Sequence, residues 1–193
     1  QMYGHQWLLP IPDLDRLDVL LMLGANPVAS NGSLMTAPDV TVRLKAIRDR
    51  GALIVVDPRR SETAEIASAH VPIRPGGDVW FLIALLQALM RLGAPRLDAY
   101  AGKLHGFDAA MARVQAVQID DLPQRIGITM AQVDAVAAQL HGATNACVYG
   151  RMGVSTQRFG TVAQYLIQLT NLYLGQLDRA GGCLPNEAIV PVT

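Results

Sequence analysis

Apolar and polar positions alternate in blocks along the chain. Residues 18–23 (Asp-Val-Leu-Leu-Met-Leu) and 52–56, with Leu53-Ile54-Val55-Val56 at their heart, are short apolar runs that predict strands buried on both faces. Residues 70–74 and 145–149 read as two further strands, the former near a sheet edge or a strand end because it contains Pro72. Helical spacing predicts helices over about 37–50, with Val42, Leu44 and Ile47 as apolar positions, over 61–68, and over 158–174. Pro38 suits the first turn of the first helix and Gly51 its C-terminal cap. Residues 79–92 are apolar nearly all round, which predicts a helix buried between layers. The run is broken by Gln87 and too short to span a bilayer.

Strand and helix therefore alternate, as expected of an α/β fold: a Rossmann-like, doubly wound, mainly parallel sheet flanked by helices. Between about 94 and 142 the chain becomes more polar and is broken at Pro95, Gly106, Pro123 and Gly127, predicting a helical insertion of three or four short helices before the last strand. The final one, 129–140, has Thr129 as N-cap and Val133, Val136, Ala137 and Leu140 as its inner stripe. Residues 1–17 read as an irregular lead-in, 18–176 as the domain, and 177–193 as an irregular tail.

Composition sharpens this picture. The 193 residues suffice for one domain with an ample core, and 51% are hydrophobic, 17% charged, with net charge zero. Nothing marks a nucleic-acid or acidic-membrane surface, and so little charge suggests that part of the surface is meant for burial. The chain opens on Gln1 without a signal-peptide pattern, which reads as an excised piece or a processed product. Cys147 and Cys183 make no CxxC pair, and a free thiol in a core strand is expected for Cys147. His5, His70, His105 and His141 lack metal-ligand spacing and read as surface or helix-end residues.

Four loops fall at strand ends on one sheet edge: 24–31, 57–61, 74–78 and 150–157. Such ends are where ligands bind in open α/β sheets, beside free N–H groups. Gly24 and Gly153 would let a ligand approach the backbone, and Asn26 offers a donor and an acceptor. Arg59, Arg60, Arg74 and Arg151 are candidates for phosphate. Asp57 and Asp78 can accept from a ribose or a purine edge. Two readings of Asp57 stand level, ligand contact or cap of the helix near Ser61, and Asp78 divides in the same way between ligand and N-cap. The Gly-x-Gly-x-x-Gly fingerprint, a Walker motif, a Gly-x-Ser-x-Gly elbow and paired catalytic carboxylates are all absent, so the pattern is a nucleotide-type binding site without a reacting group.

Taken in order, Gly24-Ala25-Asn26-Pro27, Val55-Val56-Asp57-Pro58-Arg59-Arg60 with Glu62-Thr63-Ala64, Ile73-Arg74-Pro75-Gly76-Gly77-Asp78, and Gly150-Arg151-Met152-Gly153 before a helix containing Leu169-Thr170-Asn171 resemble the central region of the molybdopterin oxidoreductases, the group of formate dehydrogenases, nitrate reductases and dimethyl sulfoxide reductase. The resemblance runs from about Asp18 to Gly182. It implies a molybdenum- or tungsten-dependent oxidoreductase whose metal is held by two molybdopterin guanine dinucleotides, one of them bound by this domain. By that resemblance Gly24, Ala25, Asn26, Pro27, Ser30 and Asn31 lie along the dinucleotide. Asp57, Pro58, Arg59, Arg60 and Ser61, with Gly76, Gly77 and Asp78, belong near its guanosine end. Gly150, Met152, Gly153, Thr156 and Gln157 face the pterin side.

Two positions depart from the family pattern. Thr156 stands where many relatives carry Gln, with Gln157 one further on, and Asn31-Gly32 replaces a His-Pro pair. The resemblance also implies that the metal ligand and an iron–sulfur segment lie upstream, and that the grip on the second dinucleotide lies beyond Thr193. No catalytic or metal-ligating residue is therefore expected in this stretch, which alone should show no turnover. Its partners would be the remaining domains of the same enzyme and an electron-transfer subunit, with neither nucleic acid nor a membrane segment. The cytoplasm is the favoured compartment, the periplasm following if the upstream part carries a twin-arginine signal. A nucleotide- or NAD-binding Rossmann domain of another enzyme, or a non-catalytic Rossmann interaction module, are the alternatives.

Overall fold

The computed structural model describes residues 8–186. Residues 1–7 of the expected lead-in, His5 among them, and 187–193 of the expected tail lie outside the described residues. In chain order the elements are β1 (Pro10–Pro12), β2 (Val19–Leu23), α1 (Pro27–Ser30), α2 (Val40–Arg50), β3 (Ala52–Val56), α3 (Glu62–Ile66), β4 (Ala69–Val71) and α4 (Asp78–Leu92). There follow α5 (Phe107–Ala116), α6 (Leu122–Ile126), α7 (Met130–Gly142), β5 (Ala146–Gly150), α8 (Met152–Ser155), α9 (Gly160–Tyr173) and β6 (Cys183–Pro185).

Four strands form a parallel sheet in the order β4-β3-β2-β5, with Leu21 opposite both Ile54 and Val148. The alternation of side chains divides the core. Leu21, Ile54 and Val148 face a layer made by α4, α7 and α9, while Leu20, Leu53 and Cys147 face α2 and the segment around Leu14 and Leu17. Helices thus cover both faces, as the doubly wound pattern requires. Among the described residues no helix is long and apolar enough to cross a membrane, and no cluster of His, Cys, Asp or Glu is arranged to hold a metal ion.

β5 is an edge strand, yet its outer side is closed. The Asn171 carboxamide on α9 accepts from the Val148 N–H at 2.8 Å and donates to the Val148 carbonyl at 2.9 Å. A buried side chain here replaces the next strand. At the opposite edge β4 is short, and Pro72 ends it. The insertion builds on the α4 layer. Its last helix starts with a capping box in which Thr129 and Gln132 exchange bonds with each other's backbone N–H groups.

Several boundaries differ from the sequence expectation. The helix expected over 37–50 begins at Val40, because Thr36 and Asp39 take left-handed backbone and place Pro38 in a preceding turn. Gly51 does end that helix, with φ −159° and ψ −93° rather than in left-handed backbone. A glycine is needed because a Cβ would stand 2.4 Å from the Asp18 carbonyl oxygen. The helix after β3 stops at Ile66, and Ser68 instead bonds back to Leu53 through both its backbone N–H and its hydroxyl.

Gly150 belongs to β5, and the expected loop after it contains the helical turn α8. The lead-in and the tail are not irregular throughout. Pro10–Pro12 pairs antiparallel with Cys183–Pro185, a contact between distant segments that no local pattern announces. His70 is neither a surface nor a helix-end residue. It lies half-buried on β4 with Nε2 2.9 Å from the Asp57 carbonyl, which can only accept, so Nε2 carries the proton.

Candidate nucleotide site at the strand ends

Because all four strands run the same way, the loops after Leu23, Val56, Val71 and Gly150 emerge on one edge. The chain order reverses between β2 and β5, and ligands of doubly wound sheets bind at that switch point. A cavity of about 360 Å³ lies there, lined from one side by Gly24, Ala25, Asn26, Pro27, Ala29 and Ser30 and from the other by Tyr149, Arg151 and Met152, with Met35 beside them. The volume is within the usual range for small-molecule sites. The first loop and the Met-Gly loop are thus brought together. Ala29, Met35, Tyr149 and Arg151 complete the lining, although only Arg151 had a signal in sequence, as a cation at a strand end.

The two glycines form a contact of their own. Gly24 has φ +54°, and Gly153 donates its N–H to the Gly24 carbonyl at 3.0 Å. A Cβ on either residue would come within 2.6–2.8 Å of the other loop's backbone. These glycines let the two loops approach each other at the cavity wall. Gly150 is similarly closed in by Ile167, 2.4 Å from where its Cβ would be.

The Asn26 side chain is turned inward. Its oxygen accepts from the Thr63 hydroxyl at 2.7 Å and from the Thr63 N–H at 3.3 Å, while its nitrogen donates to Glu62 at 2.6 Å. Asn26 ties the first loop to α3 and also lines the cavity. The bond from its own backbone N–H, and next the bond from Asn26, hold the Glu62 carboxyl below its ordinary range, with Arg59 adding to this. Thr63, fully buried, is a part of the site that the sequence reading quoted without assigning it a role. Ser30 stays exposed at the cavity rim, and Asn31 ends α1 in left-handed backbone.

At the end of β3 the cap question about Asp57 is resolved. Ser61, itself buried, caps α3 by accepting from the Ala64 N–H, whereas Asp57 accepts from the Arg59 N–H within its own loop at 2.9 Å. Pro58, Arg59 and Arg60 are exposed, and Arg59 pairs with Glu62 at 3.3 Å. Gly76 and Gly77 turn the chain into α4. Gly77, not Asp78, is the N-cap, and Asp78 is the first helical residue. Asp78 is 7% exposed, and burial raises its carboxyl above the ordinary range, its own backbone N–H opposing and the charge of Asp57 reinforcing the shift. The two acids are thus electrostatic neighbours across the ends of β3 and α4. Arg74 does not face this site openly, since its guanidinium donates to the Gln124 carbonyl and its N–H to the Ile126 carbonyl. Below it, Arg125 lies 4.2 Å from the Trp80 ring centre and pins α6 to α4. Thr156 and Gln157 bond back to the carbonyls of Met152 and Gly153, with Gln157 reaching to about 4.0 Å from the Cβ position of Gly76.

Over 173 residues the chain is 28% identical to the nitrate reductase of Shewanella frigidimarina, which covers 88% of this chain and 18% of that protein. It is 23% identical over 194 residues to the arsenate respiratory reductase molybdopterin-containing subunit of Chrysiogenes arsenatis, covering 88% of this chain and 22% of that protein. The chain resembles the molybdopterin oxidoreductases. The resemblance carried by the four motifs is thereby borne out. Acetylene hydratase from Pelobacter acetylenicus has the same fold, with a TM-score of 0.73 at 21% identity over 87% of this chain and 23% of that one. No family model matches the chain. The chain spans about a fifth of the length of the curated relatives it matches.

Proposed function

We propose that this chain is the part of a molybdopterin oxidoreductase that holds one molybdopterin guanine dinucleotide of a molybdenum or tungsten cofactor. The observation that carries the reading is the cavity at the switch point, where Gly24–Pro27 and Tyr149–Met152 face one another. The residues fit such a group. The cavity accepts one portion of an extended ligand between apolar walls, and Asp57 and Asp78 stand as acceptors along the same edge for the N–H donors of a guanine or the hydroxyls of a ribose. Pro27, Met35 and Met152 line the apolar part, while Asn26 and Thr63 hold the first loop in place.

The bound group would supply two-electron redox chemistry at its metal, and this chain's residues would bind and orient it. The parent enzyme would add an iron–sulfur cluster, the metal ligand and the second dinucleotide grip from its remaining domains, and pass electrons to a partner subunit.

Calorimetry of the chain with GDP, ADP and NAD tests the reading. Preference for GDP, reduced by Asp57→Ala without a change in the unfolding midpoint, is the expected result. Equal affinity for all three, or preference for NAD, would favour another Rossmann enzyme. In the parent enzyme, Asp57→Ala should lower molybdenum and pterin content.

A further inference from the structure

The chain has two cysteines, far apart in sequence, and the fold brings both to one place. Cys147 lies in β5 opposite Leu20 of β2, with its side chain in the layer of Leu14 and Leu17. Cys183 opens β6, opposite Pro12 of β1. It is the buried residue of that strand and enters the same layer, while Leu184 and Pro185 are half-buried. Because β1 also lies beside β5, the β1–β6 ribbon rests on the sheet where the two thiols are. Both thiols are free, and Cys183 lies within hydrogen-bonding contact of Cys147. Burial, and then the Cys183 thiol beside it, push the Cys147 thiol well above its ordinary value. The Cys147 Sγ also donates to the Val148 carbonyl at 3.6 Å. A buried, protonated thiol is a poor nucleophile, so Cys147 is inert while the ribbon is closed.

The ribbon that covers the pair is lightly held. Its strands are three residues each, and Pro10, Pro12 and Pro185 have no N–H to give to the ladder. Much of its hold comes from the turn beside it. There the Asp13 N–H donates to the Gly182 carbonyl and the Asp13 carboxylate accepts from the Gly181 N–H, both at 2.9 Å. Short, sparsely bonded elements of this kind open locally before the core does. Cys183 rides on the ribbon and Cys147 is part of the sheet, so local opening bares Cys183 first.

We infer that Cys147 and Cys183 form a redox-sensitive latch, which a peroxide closes into a disulfide that fastens the β1–β6 ribbon to the sheet. The Cys183 sulfur attacks one peroxide oxygen, the O–O bond breaks, and water leaves behind a sulfenic acid. When the ribbon recloses, the Cys147 sulfur attacks the Cys183 sulfur. The S–O bond breaks, the S–S bond forms, and a second water departs with the Cys147 proton. Two thiols are thus oxidised by two electrons, and one peroxide is reduced to two waters. The closed loop runs from β5 through the whole of α9 to β6, so the bond constrains the unfolded chain and stabilises the fold. The latch uses none of the residues proposed to meet the nucleotide.

The test treats the folded 193-residue chain with dilute hydrogen peroxide and follows it by intact mass, non-reducing peptide mapping and urea denaturation. The expected product has lost two hydrogens, contains one cross-linked peptide joining Cys147 to Cys183, and unfolds at a higher urea midpoint. Dithiothreitol should reverse all three changes. Cys147→Ala should stop at a sulfenic acid on Cys183, trapped by dimedone, whereas Cys183→Ala should leave Cys147 unlabelled. Thiols that stay free in the folded chain but react in urea would overturn the inference. So would bonds between chains instead of within one, or oxidation of one cysteine beyond the sulfenic acid with the other left free. An oxidised chain with a lower midpoint than the reduced one would overturn it too, because the fold would then have to distort to admit the bond. Equal dimedone labelling of the two alanine variants would be as decisive against it. The peptide map and the midpoint need no variant, so they decide even if an alanine variant fails to fold.

Discussion

Gly24 and Gly153 meet backbone to backbone at the strand ends, the Gly153 N–H donating to the Gly24 carbonyl at 3.0 Å. The contact welds the loop after β2 to the turn after β5, and those two loops are the walls of the switch-point cavity. Neither glycine is free to gain a side chain. A Cβ on Gly24 would stand 2.6 Å from the Val154 nitrogen, and its φ of +54° lies in the left-handed region. Gly24→Ala should therefore destabilise the chain by roughly 1–3 kcal/mol from overpacking alone, read as a lower urea midpoint. An unchanged midpoint would show that the two loops part easily.

Asn171 stands in for a missing strand. Replacing it with Leu removes the partners of the buried Val148 N–H and carbonyl. The expected cost is about 1–3 kcal/mol for each group left unsatisfied. Chemical denaturation checks this, and a variant of parental stability would contradict it.

Asn26 and Thr63 join the first loop to α3, so Thr63→Val, nearly equal in shape, isolates the hydroxyl. Loss of its 2.7 Å bond to Asn26 and of the bond it accepts from the Val28 N–H at 3.2 Å leaves half-buried polar groups partly unsatisfied and should cost about 1–2 kcal/mol. Nucleotide affinity should fall with it, although Thr63 does not line the cavity. Melting temperature and GDP titration on the same variant separate the two effects.

Asp78 makes stability depend on pH. Its folded-state carboxyl is raised, chiefly by burial. Between the ordinary carboxylate value and the raised folded one, the native state thus holds a proton that the unfolded chain has released, and this contribution is full below the ordinary value and lost as pH rises through the raised folded value. Asp78→Asn should accordingly be more stable than the parent chain near neutrality, with the advantage shrinking as the pH falls toward 4. Thermal unfolding across that range tests the sign. A variant less stable at neutral pH would mean that the carboxylate is held by a favourable contact stronger than its burial.

Much of the framework was legible in the residues. The apolar runs at Leu20–Leu23 and Leu53–Val56, the all-round apolar helix over Val79–Leu92 and the cap at Thr129 each carry a local signal, because period and burial are properties of neighbouring residues. Turn residues were legible too, but not their purpose. In the sequence Gly24 and Gly153 carry the mark of ligand approach and Gly51 that of a cap, and the close contacts that require a glycine at each, with Val154, the opposite loop and Asp18, have no local signal. The four arginines looked equivalent until Glu62 and Gln124 were seen to hold two of them.

The sequence by itself determined the alternation of strands and helices, and hence the α/β class, the shared edge of the four loops and the family resemblance of their motifs. Tertiary structure decided which groups meet: Asn171 with Val148, Asn26 with Thr63, Pro10–Pro12 with Cys183–Pro185, and Arg151 with the cavity. Hydrophobic period specifies which face of an element is buried. The choice of partner for a polar group depends on residues scores of positions away, brought near only when the sheet and its helices have packed.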